Sequence, residues 1–276
     1  MENRMKYAIK IISVILLLSL STSLSAADNW QKYSTFMDRF YYLNKQNCND
    51  ISCRIKVSTL DTSLAQVREQ LKSLKGKIKI TENISEFSLN FNKDSGLTFN
   101  LPSFDVKIVS DKGIKDREQV ETGIKYMKQG FQMQIDGATT TIRGLFASYI
   151  FPKREDLNIK AIRVNKDEAK IIYETGQSKV TEIYEGKTCK QIMQSPSISS
   201  QTNLKFRDVG DKLLVDTADV TLKLVDATID SKTSVEYQEV KGISFPAKLV
   251  TDFKMEFKNQ KMEGQVIIFF ENCEVK

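Results

Sequence analysis

The sequence predicts an α+β fold: a large antiparallel sheet with helices packed on it. Three observations predict it. From Ile78 onward most apolar residues alternate with period two, the mark of strands with one buried face. Short polar stretches such as Asn92-Lys93-Asp94-Ser95-Gly96 separate these runs, and short connections favour antiparallel pairing. Two stretches, 28–75 and 114–150, carry a helical period instead.

The order of elements follows from these periods. Trp30, Tyr33, Phe36, Met37, Phe40 and Tyr41 recur at helical spacing, as do Leu60, Leu64, Val67, Leu71 and Leu74, so 28–75 reads as a helical region. Asp61 is a candidate N-cap there, and Gly76 a stop. Ile78/Ile80, Phe87/Leu89/Phe91, Leu97/Phe99/Leu101 and Phe104/Val106/Ile108 then read as four strands. Val120, Ile124, Met127, Phe131, Ile135, Ala138, Ile142, Leu145 and Tyr149 form the apolar stripe of a long helical insertion, 114–150. Beyond Phe151-Pro152, strands are expected at 157–164, 169–175, 178–185, 203–208, 212–217, 219–225, 233–241, 246–257 and 262–272. The Ser- and Gln-rich stretch from Gln191 to Asn203 reads as a surface loop. Residues 28–276 are expected to form a single β-rich domain.

Gly123, Gly130, Gly137 and Gly144 recur every seven residues along one flank of the long helical stripe. A helix-interior glycine costs about 1 kcal/mol relative to alanine. Four in register suggest tight packing of another element on that flank. The alternatives are chance and a helix broken near Asp136-Gly137.

Residues 1–27 have the three parts of a signal peptide. Arg4, Lys6 and Lys10 open it, Ile11 to Leu20 form an apolar run, and Ser25-Ala26-Ala27 offer a cleavage site. The run is well short of the roughly 20 residues a membrane-spanning helix needs. The expected product is therefore exported and not an integral membrane protein after cleavage. Its expected compartment is the periplasm, with the extracellular space as the alternative. Removing Arg4, Lys6, Lys10 and Glu2 leaves 38 Lys+Arg against 34 Asp+Glu, too mild an excess to imply a nucleic-acid partner. The four cysteines, Cys48, Cys53, Cys189 and Cys273, suit an oxidising compartment. Three pairings are possible, and the expected one is Cys48–Cys53 with Cys189–Cys273.

Catalytic signatures are missing. The chain has no histidine, so Ser-His, Cys-His and His-ligated metal arrangements are excluded. It has no phosphate-binding glycine loop, and no cofactor or metal is implied. Asp216/Asp219 and Asp226/Asp230 are the carboxylate pairs that could be imagined as a metal or acid-base site, and isolated carboxylates in turns are usually solvated. A hydrolase built on them is the weakest of three functional readings.

The C-terminal part points to a family. The run Val235-Glu236-Tyr237-Gln238-Glu239-Val240-Lys241-Gly242-Ile243-Ser244-Phe245-Pro246-Ala247-Lys248-Leu249 is a strand, a glycine turn and an aromatic-Pro entry into the next strand. It closes with Val266-Ile267-Ile268-Phe269-Phe270-Glu271-Asn272-Cys273-Glu274-Val275. This succession resembles the end of the LolA-like superfamily of periplasmic lipoprotein carriers and lipid-binding proteins. The resemblance implies an incomplete barrel plugged by helices, with an apolar cavity for acyl chains, and a lipid or lipoprotein as partner. No ligand-contacting residue transfers by motif. The residues expected to line such a cavity are Met127, Phe131, Ile135, Leu145, Phe146 and Tyr149 of the helical stretch, with Phe104, Val106 and Ile108 of the sheet. Close-packed core is the bland alternative for each. The competing reading is an envelope structural or interaction module, which docks a protein partner through edge strands or the aromatic segment Trp30 to Tyr42.

Overall fold

The computed structural model describes residues 29–276 apart from positions 75, 111, 113, 258 and 259. The expected signal peptide, residues 1–27, lies outside the described residues. The fold is α+β, with a twelve-stranded antiparallel sheet that does not close and, among the described residues, three α-helices. The helices are α1 (29–37), α2 (Ser58–Gln70) and α3 (Arg117–Ala147).

The strands are β1 (Asp50–Val57), β2 (Ile78–Asn83), β3 (Ser88–Asn92), β4 (Gly96–Asn100), β5 (Ser103–Ile108), β6 (Asn158–Val164) and β7 (Glu168–Thr175). They continue with β8 (Ser178–Glu185), β9 (Thr188–Gln194), β10 (Ser199–Val209), β11 (Lys212–Lys223), β12 (Ala227–Val240), β13 (Ile243–Phe257) and β14 (Gln260–Val275). The large sheet runs β4-β3-β1-β14-β13-β12-β11-β10-β9-β8-β7-β6, while β2 and β5 form a separate pair. From β6 on the order is a meander, as consecutive alternating runs require.

Two sequence expectations need correction. The region 28–75 is not continuously helical, because β1 interrupts it. Ile51, Cys53, Ile55 and Val57 alternate into the core with Ser52, Arg54 and Lys56 between them, a period-two run between two helical ones. The stretch from Gln191 to Asn203 is not a loop. It holds the end of β9, a turn closed by Ser195 and Ile198, and the start of β10. Its polar residues are tolerated because they pair edge to edge along an antiparallel ladder, Ser199 opposite Gln194 through Asn203 opposite Lys190.

The chain divides into two compact units. The first comprises the described residues up to Tyr41 with Pro152–Leu214 and Val220–Asp226. Here α1 lays Tyr33, Phe36 and Met37 into the interior. Phe40 packs edge-on against Tyr184 and Phe206, with ring centroids 5.2 and 4.8 Å away. Arg39 donates to the Gly186 carbonyl at 3.2 Å, and Lys212 Nζ to that of Asp38 at 2.8 Å. The aromatic segment Trp30 to Tyr42 is thus largely consumed by the chain's own interior, which removes the observation behind a docking role for it.

The second unit comprises Tyr42–Phe151, Val215–Asp219 and Ala227–Lys276. Its core is aromatic. Phe146 of α3 lies 5.5 Å from Phe245 and 6.3 Å from Phe270, and the latter two meet edge to face. Asn44 and Phe151 exchange two hydrogen bonds, at 2.9 and 3.0 Å, so the strap at 42–45 is tied to the exit of α3. Pro246 sits in β13 at a register shift opposite Tyr237, one of the few places a strand interior admits proline.

The expected disulfides are also corrected. The bond joins Cys53 to Cys273, and Cys48 and Cys189 are separate buried thiols. The reason is register: β1 and β14 are antiparallel neighbours, and a bulge between Ser52 and Arg54 sets Cys53 against the stretch around Asn272, itself left-handed at φ 52°. Cys189 stands in the first unit, opposite Tyr184 on one side and Leu204 on the other.

Candidate functional site

The helix α3 is capped by Asp116, whose carboxylate accepts the Gln119 N–H at 2.9 Å. It then runs unbroken for 31 residues. Its buried stripe, including Ile124, Phe131, Ile135, Ala138 and Ile142, faces inward at the expected helical spacing. The four in-register glycines do not serve close packing. A Cβ at Gly123, Gly130, Gly137 or Gly144 would meet nothing within 4 Å, and the helix does not break at Gly137.

Between α2, α3 and β5 lies a groove of about 180 Å³. Its apolar lining is Leu64 and Val67 from α2, Met127 and Phe131 from α3, and Phe104 from β5. The Phe104 and Phe131 rings stack obliquely with centroids 4.9 Å apart. Ser63, Gln66, Gln70 and Gln134 add a polar margin, and Gly130 leaves one wall low. Beyond the groove, Leu71, Val106 and Ile124 form a buried cluster backed by Ile108 and Met127.

One polar group in the groove is incompletely used. Gln134 Nε2 donates to Ser63 Oγ at 2.8 Å, bridging the two helices, while its Oε1 is buried with no hydrogen-bond partner. Turning the amide over exchanges which atom is unpaired. Leaving such an atom unpaired costs about 1–3 kcal/mol, so a donor on a ligand would find a ready acceptor. Next to Phe104 in sequence, Asp105 is flanked by Lys128 and Lys107. Hydrogen bonds from these two ammonium groups hold its carboxyl below the usual carboxylate range.

The nine residues expected to line a cavity therefore divide. Phe104, Met127 and Phe131 converge on the groove. Val106 and Ile108 sit in the neighbouring cluster. Ile135, Leu145, Phe146 and Tyr149 are close-packed interior, Tyr149 with its hydroxyl against that of Tyr237. Sequence reasoning missed the contribution of α2. The Leu60-Leu64-Val67-Leu71 stripe was visible, but nothing in it says that glutamines at 66 and 70 flank an opening.

Two other places carry chemistry. At the start of α2 a depression of about 270 Å³ brings Arg54, Lys56, Asp61 and Glu271 together, two charges of each sign, around apolar residues such as Leu60 and Phe87. In the first unit, Glu182 accepts from Tyr173 and Tyr184 hydroxyls, both at 2.9 Å, and from Gln191 at 3.0 Å. Burial, then the Glu182 charge, pushes the Tyr173 hydroxyl and the Cys189 thiol strongly up. Both stay neutral, the opposite of an activated nucleophile. Among the described residues no three His, Cys, Asp or Glu side chains gather as a metal site, and no helix is long and apolar enough to cross a membrane. No family model, curated protein or solved structure matches this chain.

Proposed function

We propose that the protein is a non-enzymatic binder or carrier of acyl-chain ligands, a lipid or lipoprotein, working outside the cytoplasm in the periplasm. The observation that carries this reading is the convergence of Phe104, Met127 and Phe131 with Leu64 and Val67 on one open apolar groove. Ligand pockets for whole small molecules usually run from about 300 to 1,000 Å³. A groove of about 180 Å³ suits a segment of a chain instead. The polar margin with its unpaired Gln134 oxygen suits an amide N–H or a hydroxyl at the end of such a ligand, either of which can donate to it. The Cys53–Cys273 bond supports an oxidising compartment, and the C-terminal resemblance to LolA-like carriers points the same way.

The test is displacement of a fluorescent fatty acid, with native mass spectrometry of gently purified protein. Met127 is only partly buried, so M127E charges the groove without emptying the core. It is expected to weaken probe binding at least tenfold while the far-UV spectrum stays unchanged. F146A, in the dry core, is expected to cost about 3–5 kcal/mol of stability. Probe affinity of that variant, measured below its melting point, should stay near wild type. Absence of bound lipid together with no probe binding to the wild type would remove the proposal.

A further inference from the structure

The strand β14 is 16 residues long, but its two sides are not equally used. Against β13 it pairs from Gln260 to Phe269. Against β1 it pairs only from Ile268 to Val275, because the chain turns into α2 at Ser58, whose Oγ accepts the Ile267 N–H at 3.2 Å. Among the described residues, Gln260–Val266 therefore has β13 on one side and an open edge on the other. Gln260 to Gln265 are all exposed.

This segment has only part of the usual protection of an edge, the charges of Lys261 and Glu263. Edges are blunted by charged side chains, proline, bulges or brevity, and an unguarded one templates pairing with another chain. Here there is no proline, and the register shift of β14 lies at its other end. One face of the ribbon is apolar: Met262 is opposite Met255, and Gly264 is opposite Phe253. The Phe253 ring covers the glycine so closely that a Cβ there would approach it to 2.9 Å. Met262 remains 59% exposed. The other face is charged, with Lys261 opposite Glu256 and Glu263 opposite Lys254.

We infer that this edge pairs antiparallel with the same edge of a second copy, about a two-fold axis through Met262. Residues that face each other across an antiparallel pair lie on the same face, so the axis must pass through a residue. An axis at Lys261 or Glu263 sets like charges against each other. One at Gly264 sets Glu263 opposite Gln265 and Met262 opposite Val266, with no pair of opposite charges. An axis at Met262 sets Lys261 opposite Glu263 of the second copy, twice by symmetry, and Met262 against Met262. It uses Gln260–Gly264, all within the free edge. The sequence Lys-Met-Glu is thus complementary to itself about Met262, the register that opposes unlike charges. So short a pairing makes a weak, reversible dimer.

Sedimentation velocity of the full chain over a range of concentrations tests this. A monomer–dimer equilibrium is expected. K261E should weaken it about tenfold, since two favourable cross-strand pairs become repulsive. The double variant K261E/E263K, which restores complementarity, should recover it to within about threefold of wild type. Under mild oxidation M262C should cross-link, because directly opposed Cβ atoms stand about 4.5–5.5 Å apart. Q260C, whose symmetry mate is four residues out of register, should not cross-link. A chain that stays monomeric at its highest soluble concentration overturns the inference. So does a dimer indifferent to K261E, or one that Q260C links and M262C does not. All four positions are exposed, and circular dichroism checks that each variant is folded.

Discussion

Cys48 and Cys189 are the residues at which composition and structure part most sharply. An even number of cysteines suggested two bonds, yet only Cys53 and Cys273 are brought together, because pairing depends on which strands become neighbours. Burial raises both free thiols, Cys189 most strongly. A thiol held neutral when folded but free to ionise near pH 8.5 when unfolded makes the folded state bind more protons above that pH. Stability is therefore present below about pH 8.5 and declines as pH rises beyond it. Two outcomes follow: native protein should resist iodoacetamide while denatured, unreduced protein takes up two equivalents, mapped to Cys48 and Cys189. C189A should flatten the alkaline fall in melting temperature. Rapid labelling of Cys189 in the native state would contradict its placement. The three groove residues named in advance, Phe104, Met127 and Phe131, were legible as apolar positions of the right elements. Which of nine such positions face an opening was not legible, since helical period distinguishes inside from outside but not core from groove.

At the scale of elements, period was the reliable guide. The helix at 117–147 falls within the expected 114–150, and most strands after Pro152 fall close to their expected places, but the two strands expected at 212–217 and 219–225 are one continuous β11. Misreadings arose where the period was short or polar: eight residues of β1 hidden between two helices, and the Ser- and Gln-rich hairpin of β9 and β10. The glycine row of α3 is the other instructive case. Its regular spacing suggested a packing constraint, and its surroundings are open. With no neighbour to clash, alanine should only gain helix propensity, about 1 kcal/mol at each site. G137A and G144A are expected to raise the melting temperature, singly and nearly additively, in thermal unfolding followed by circular dichroism. A fall in either variant would mean that something covers this flank in solution.

For the whole molecule, the open antiparallel sheet with helices was legible because most strands carry an alternating apolar pattern. Which strands become neighbours was not. The pairing of β1 with β14 joins residues with no local signal between them, and the disulfide that ties them spans 220 positions. In the chain-entropy account, a loop that long is stabilised by about 5 kcal/mol when closed. C53S/C273S is expected to lose several kcal/mol in denaturant titration while retaining native far-UV dichroism at low denaturant. An unchanged midpoint would show that the bond does not form in solution.

The same separation has a consequence in time. Chains are synthesised at about 5–20 residues per second, so β14 follows β1 by roughly 10–40 seconds. Through that interval Ile51, Ile55 and Val57, which end fully buried, have no β14 to pair with. Pairings this distant in sequence also form slowly once both partners exist. The nascent chain thus spends tens of seconds with an unpaired apolar strand. On the proposed export route the bond forms only once both sulfurs reach the oxidising compartment, where Cys48, five residues from Cys53, competes with Cys273.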